Sequence, residues 1–325
     1  MIGIRTPFRM SFMGGGSDLK EFYRRSFGSV LSTTINKYMY IFIHPFFDNR
    51  IQLKYSKTEL VNQIDEIRHP IAREVLRKFS LESIDINSIA DIPAGSGLGS
   101  SSSYTVGLLH ALYKYTDKDF TKALLAENAC EIEIDILKEP IGKQDQYAAS
   151  FGGLNVIEFH SDNQVVVKPI KISSSIKSQL EENLILFYTG RTRKASSVLN
   201  DQKKNILNEE SKYDSLIKMV ELVKNAESSL IQSNLDDFGH IMHANWKLKK
   251  SLSNKISGSE IDDLYELAQK NGALGGKILG AGGGGFMLFY CPKLKQSKLR
   301  KALKGLKEFK FKFDNDGSKV IFSEI

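Results

Sequence analysis

The stretch "IPAGSGLGSSSSYTVGLLHAL", Ile92 to Leu112, constrains this chain most: a proline leads into three alternating glycines, four serines and an apolar run. Without Cβ atoms, Gly95, Gly97 and Gly99 allow positive φ, so successive backbone N–H groups turn inward on one point. Ser100 to Ser103 stand where a helix begins, adding hydroxyls to its free N–H groups and partial positive charge. Such a loop cradles an anion, and a polyphosphate suits it best. It is not a Walker A loop, because no Lys-Ser/Thr follows the last glycine, and it lacks GxGxxG spacing. Taken alone, it reads equally as a flexible turn.

At 325 residues the chain exceeds one ordinary core and suits two domains. Its 41% hydrophobic and 26% charged residues, spread without blocks, mark a globular protein. The 45 Lys+Arg against 38 Asp+Glu give +7. These lysines are dispersed over expected helix surfaces, as in "LKQSKLRKALKGLKEFKFK", with no nucleic-acid-reading signature beside them. The reading is a solvated basic face with a mild pull on anionic substrates, and no nucleic-acid partner. Cys130 and Cys291 are far apart and show no CxxC spacing, so neither a zinc site nor a disulfide framework is expected. Arginines interrupt "MIGIRTPFRMSFMGGG", which removes a signal-peptide core, and no run approaches membrane-spanning length. The expectation is a cytoplasmic protein without a membrane partner.

Residues 1–13 and 28–44 alternate as strands, and "YMYIFIHPF" is rich in β-branched and aromatic residues. Helical spacing over 58–79 predicts a helix there, broken or started at Pro70. "SIDINSIADIPAG" reads as a strand feeding the opening loop, helices follow over 103–115 and 120–138, and a hairpin turns near Asn163. The second half opens with the strand "NLILFYTG" and continues through long amphipathic helices to about Asn271. "KILGA" and "FMLFY" then flank four consecutive glycines, and a helix and the strands "FKFKF" and "SKVIFSE" close the chain. That order predicts two units, 1–175 and 176–325, the second an α+β sandwich of ferredoxin-like type.

Three further stretches carry chemistry. "RTPFRMSFMGGGSDL" holds Arg9, Gly14 to Gly16 and Asp18. Its glycines let a ligand approach the main chain, and the carboxylate accepts hydrogen bonds from vicinal hydroxyls, which suits a sugar. Asp18 reads equally as a cap for the helix that follows. "CEIEIDILKEPIGKQDQYAAS" holds Glu131, Glu133, Gly142 and Asp145; Glu133 lies between Ile132 and Ile134, where one carboxylate points inward toward a cation. Gly275 to Gly285 would be entropically costly unless another backbone or a ligand comes close. Beyond "NLILFYTG", the run Arg191 to Ser197 sets three cations beside hydroxyls at a helix start, either a phosphate site or an exposed basic turn.

These stretches, in this order, resemble the GHMP kinase superfamily: "PFRMSFMGGGSD" its first motif, "PAGSGLGSSSS" its ATP-binding second and "KILGAGGGGF" its third. Within it, "PIGKQDQYAASFGGLNVIEF" and "WKLKKSLSNKIS" look most like the D-glycero-D-manno-heptose 7-phosphate kinases and the similar fucokinase-type enzymes. The resemblance implies a two-domain α+β fold, an N-terminal α/β domain of the ribosomal-protein type and a C-terminal ferredoxin-like domain, with the active site in the cleft. It implies ATP and Mg²⁺ as cofactors and phosphorylation of the anomeric hydroxyl of a sugar, heptose 7-phosphate first, with an unphosphorylated sugar as the alternative. An inactive sugar-binding regulator is the reading from another class. Asp145 matches the catalytic aspartate and Arg9 the basic residue that holds it ionised. Pro93, Gly95, Ser96, Gly97, Leu98, Gly99, Ser100, Ser101 and Ser102 match the triphosphate loop. Ser101 and Glu133 match the metal ligands, with Glu131 as rival. Gly15, Gly16, Ser17, Asp18, Gly283 and Gly284 would meet the sugar, and Arg191 and Arg193 its distal phosphate. Two departures stand out: serines replace the usual alanines after "GLGSS", and Phe8 stands where many relatives have glycine.

Overall fold

A computed structural model describes residues 1–191 and 195–324. The chain opens with strands β1 (Ile2–Met13), β2 (Gly28–Pro45), β3 (Ile51–Lys54), β4 (Thr58–Val61) and β5 (Ile84–Ala90). After three helices come β6 (Asn155–Phe159) and β7 (Val165–Pro169), then β8 (Leu184–Tyr188), β9 (Gly275–Ile278), β10 (Phe286–Tyr290), β11 (Lys307–Phe309), β12 (Phe313–Asp314) and β13 (Lys319–Ser323).

The first sheet runs β13-β1-β2-β5-β3-β4, with β12 and β6 also pairing β2, and β7 extending β6. Only β3 and β5 run parallel within it. The 18-residue β2 organises this sheet: one edge carries β1, and the other carries β6 at Gly28–Ser32 and β5 at Met39–Pro45. β1 is buried along nearly its whole length, so Arg9 sits in it as a fixed, almost solvent-free cation. The helix Ser100–Tyr115 lies across β1 and β2. Its tight seat is seen at Gly107, where a Cβ would come within 2.9 Å of the Thr6 hydroxyl. The second sheet is antiparallel, β11-β8-β10-β9; one face, with Phe187 and Phe289, packs with Trp246 and Tyr265 in a second apolar cluster, and the other, with Leu186 and Leu288, belongs to the first.

Two expectations are corrected here. The helix predicted over 58–79 begins only at Pro70, which takes the first helical turn while His69 caps it; Thr58–Val61 instead completes a hairpin with β3. Leu60, one of the apolar positions that suggested a helix, is an exposed edge-strand residue. The closing strands do not belong wholly to the second unit. β11 pairs β8 in the second sheet, but β12 pairs β2, and β13 pairs β1 through Ile2↔Ser323 and Arg5↔Lys319. The chain therefore returns to its starting sheet, and a boundary at 175/176 separates strands that share one ladder.

Candidate active site

Arg9 on β1 and Asp145, in the first turn of the helix Gln144–Phe151, form a two-pronged ion pair: Nε to Oδ1 and Nη2 to Oδ2, each 2.7 Å. The third guanidinium nitrogen donates to the Gly97 carbonyl at 2.7 Å, and the Arg9 amide donates to the Leu98 carbonyl at 3.1 Å. One strand residue thus holds the glycine-serine loop from both main chain and side chain. Asp145 keeps about a fifth of its side chain exposed and lines a cavity of about 350 Å³.

The loop turns at Gly95, Gly97 and Gly99, all with φ between 76° and 84°, and Gly99 precedes the first residue of the helix Ser100–Tyr115. Glycine is required at Gly97 for a second reason: a Cβ there would lie 2.5 Å from the Leu279 carbonyl. The glycine turn between β9 and β10 thus lets one backbone press on another, which accounts for the run the sequence left open. Gly95, Gly97, Gly99 and Ser100 to Ser102 line the cavity, while Leu98 is buried beneath it and the Ser96 hydroxyl is buried without a partner among the described residues. Pro93 faces an adjoining, mostly apolar cavity of about 590 Å³, bounded by Met39, Tyr55, His69 and Tyr104 and sharing Gly95, Ser100 and Ser101 with the first.

The two candidate acids separate by burial. After the helix Lys122–Cys130 the chain makes a π-helical turn over Glu131–Ile136, closed by the Leu137 amide on the Ile132 carbonyl. Such an extra residue re-aims side chains and is common at functional sites. Here Glu133 turns fully inward, while Glu131 stays half-exposed and pairs with Lys78 at 2.7 Å. Glu133 accepts from the Ser101 hydroxyl at 2.6 Å and from Gln146 Nε2 at 2.7 Å. Burial pushes its carboxyl up to about 7, with the Asp145 charge adding to the rise and the hydroxyl and amide donors opposing it. No group of three or more His, Cys, Asp or Glu side chains gathers among the described residues. A buried carboxylate answered by neutral donors alone, with a hydroxyl beside it and a phosphate cradle next door, nevertheless fits a hard cation that takes its other ligands from phosphate and water.

On the opposite wall, Gly15, Gly16 and Asp18 line the same cavity. Asp18 accepts from the Gly16 amide at 3.0 Å and the Gln144 amide at 3.3 Å, and burial followed by the nearby Asp145 charge raises its carboxyl above the usual range. Gly142 is in contact with it, since a Cβ there would sit 2.0 Å from Oδ2. Two lysines that the sequence reading passed over complete this wall. Lys249 is buried, donates to the Gly15 carbonyl at 3.0 Å and Gln202 Oε1 at 2.9 Å, and is pulled down to about 8 by burial. Lys277, on β9 and equally buried, is pulled down to about 7 by burial and by the cations Lys249 and Arg9. Their sequence signal was faint: Lys277 precedes an apolar pair in "GKILG", where a solvated lysine is out of place, whereas Lys249 is one of three lysines in "WKLKKSL" and carries no mark of its own.

Some expected sugar contacts lie elsewhere. The Ser17 hydroxyl is engaged by the main chain of Ser29, donating to its carbonyl at 2.9 Å and accepting from its amide at 3.0 Å. Gly283 and Gly284 border a separate hollow, with Gly283 donating to the Ile256 carbonyl at 2.8 Å. Arg191 borders that hollow too, and its guanidinium pairs with Glu260. Glu260 stands in the first turn of the helix Ser259–Lys270, and Arg191 is not among the described residues that line the cleft. Arg193 lies outside the described residues, although Ser196, at the start of the helix Ala195–Asn208, does line the cleft.

Comparison with known proteins agrees with this geometry. The profile of the GHMP kinases N terminal domain matches residues 65–153, and that of the GHMP kinases C terminal domain matches residues 226–308. The chain is 31% identical, over 98% of both chains, to a D-glycero-alpha-D-manno-heptose 7-phosphate kinase of Campylobacter jejuni. It is 28% identical to a bifunctional fucokinase/GDP-fucose pyrophosphorylase of Arabidopsis thaliana, matching 96% of this chain and 32% of that longer protein. Among solved structures, a D-glycero-D-manno-heptose 1-phosphate kinase of Bacteroides thetaiotaomicron superposes with a TM-score of 0.81 at 25% identity, covering 99% of this chain and all of the other.

Proposed function

This chain belongs to the GHMP kinases, and from that premise we propose that it is an ATP-dependent sugar kinase acting on the anomeric hydroxyl of D-glycero-D-manno-heptose 7-phosphate to give the 1,7-bisphosphate. The observation that carries this reading is the Arg9–Asp145 pair at the junction of the two walls: a Cβ at Gly99 would be 3.1 Å from Asp145 Oδ2 and 3.3 Å from Arg9 Cγ. A carboxylate in that position reaches both a phosphate in the loop and a hydroxyl held beside Gly15 to Asp18.

Phosphoryl transfer needs positioning and charge neutralisation more than covalent chemistry. Asp145 takes the proton of the acceptor hydroxyl, and an anomeric hydroxyl is acidic enough for an ordinary carboxylate to serve. Arg9 aligns that carboxylate through two hydrogen bonds and lends positive charge to the developing alkoxide. The amides and hydroxyls of Gly95 to Ser102 hold the triphosphate, and the apolar cavity between Tyr55, His69 and Tyr104 takes the base. Ser101 and Glu133 would hold Mg²⁺, which when bound neutralises phosphate charge. Asp18 orients sugar hydroxyls. No helix among the described residues is long and apolar enough to cross a membrane, and both cysteines are buried and free; with ATP as donor, this supports work in the cytoplasm.

Release of ADP, measured across phosphorylated and free sugars, tests the reading, with the product's second phosphate located by ³¹P NMR. Turnover of heptose 7-phosphate to the 1,7-bisphosphate is expected. Turnover confined to an unphosphorylated sugar would give a fucokinase-like enzyme instead, and sugar binding without ADP release would give a regulator.

A further inference from the structure

The scheme above leaves one cation of the cleft unemployed. Three buried cations, Arg9, Lys249 and Lys277, face two carboxylates, Asp18 and Asp145, with Glu139 exposed at the rim. Arg9 is committed to Asp145 and the Gly97 carbonyl. Lys249 lies in the field of Asp18 and is held by Gly15 and Gln202. Lys277 lines the cavity at 2% exposure, and no carboxylate or carbonyl hydrogen-bonds its ammonium among the described residues. An ammonium on a nearly dry wall, reaching the cavity with no counter-charge of its own, is disfavoured, so this wall suits a negative charge from outside the protein.

A neutral donor is left over in the same place. The Ser11 hydroxyl lines the cavity, buried and without a partner among the described residues, and a Cβ at Gly15 would lie 3.7 Å from it. Gln202, fully buried behind Gly16 rather than at the cavity, gives its Oε1 to Lys249 and so fixes that ammonium from behind. Ala195 and Ser196 bring the first turn of a 14-residue helix to the cavity, and the positive end of a helix dipole favours an anion. Cationic and hydroxyl donors around one glycine turn match a tetrahedral dianion with three terminal oxygens better than a flat carboxylate.

We infer that Lys277, backed by Lys249 and joined by Ser11, seats a phosphomonoester that the acceptor sugar carries away from its reacting hydroxyl. The inference rests on the sugar-kinase reading and deepens it: this wall makes the enzyme select a phosphorylated over a free sugar. It also moves the distal-phosphate site from the Arg191 turn to the cleft floor.

The test compares kcat/KM for heptose 7-phosphate and for the same heptose without phosphate, in wild type, Lys277→Met, Lys277→Arg and Ser11→Ala. Wild type should prefer the phosphorylated sugar. Lys277→Met should lower kcat/KM for it by about a hundredfold, mainly through KM, a loss on the scale of one charged hydrogen bond. That loss should exceed the loss on the free sugar at least tenfold. Lys277→Arg should recover part of the preference, and Ser11→Ala should cut it by about three- to tenfold, which keeps the test decisive if Lys277→Met does not fold. Equal losses on both sugars would assign Lys277 to the transferred phosphoryl group and overturn the subsite, as would an unchanged preference in Lys277→Met and Ser11→Ala. A wild type that prefers the free sugar fails earlier and differently: the phosphorylated-substrate reading falls before any variant is measured, and the subsite falls with it.

Discussion

The nucleotide wall and the sugar wall of the cleft are built by opposite means. The first is one contiguous segment, Gly95 to Ser102, whose useful groups are main-chain amides and short hydroxyls, held by the backbones of β1 and of the glycine turn after β9. The second is assembled from side chains of distant segments, Asp18, Gln144, Lys249 and Lys277, nearly all removed from water. A backbone cradle is fixed by φ angles and close approach, so an added Cβ damages it. A side-chain wall is tuned by burial and by its neighbours' charges, so single substitutions retune which acceptor it takes.

Where the walls meet, the largest effect is expected. Asp145→Asn keeps the size of the side chain, retains only one of the two Arg9 hydrogen bonds and removes the base, so kcat should fall about a thousandfold while both KM values stay within a few-fold. A variant retaining most of the wild-type rate removes Asp145 from the chemistry. The next contrast uses two glycines. Gly97→Ala, with φ at +84° and a carbonyl 2.5 Å from the new carbon, should raise KM for ATP about tenfold or more. Gly142→Ala drives a carbon into Asp18 and should raise KM for the sugar by a similar factor. If both variants shift both KM values alike, the division into two walls is wrong. A smaller effect separates the acids: Glu133→Gln should raise the Mg²⁺ concentration for half-maximal rate about tenfold, and Glu131→Gln less than about twofold. The reverse ranking would transfer the metal to Glu131.

The same difference decides what the sequence revealed. Alternating glycines, four serines and a following apolar run declare the nucleotide wall, because contiguous backbone sites leave their composition in one place. Arg9, Asp145 and Asp18 were legible beside glycines for the same reason. Lys249 and Lys277 were not, since their meaning lies in burial, which strand and helix packing decide across more than two hundred residues of chain from Gly15. Of the pattern in "RTRKASS", the helix start reaches the cleft through Ser196, while Arg191 pairs with Glu260, far along the chain. The closing strands were seen as strands, yet "FKFKF" gave no sign that the chain leaves the second sheet at Phe309 and enters the first at Phe313.

The finest test of the comparison is the pH dependence of stability without ligand. Lys277 titrates near 7 in the folded protein because burial and neighbouring cations disfavour its charged form, whereas the unfolded chain keeps it protonated to about 10.5. A lysine depressed in this way supports folding above its unfolded value, and that support is lost as the pH falls toward 7. Lys277→Met lacks this dependence, so its advantage in melting temperature over wild type should be greatest near pH 6 and shrink toward pH 10. Glu133 behaves oppositely. Its carboxyl, raised from 4.5 to about 7 by burial, supports folding below its unfolded value, and that support is lost as the pH rises through about 7. Glu133→Gln should therefore gain on wild type as the pH rises from 5 to 8. Shifts of a few degrees are expected, since about 2–4 °C per kcal/mol holds for 150–250 residues and a longer chain moves less. Melting curves of the two variants should thus diverge from wild type in opposite directions along the pH axis; parallel slopes would mean that the two walls do not store opposite uncompensated charge.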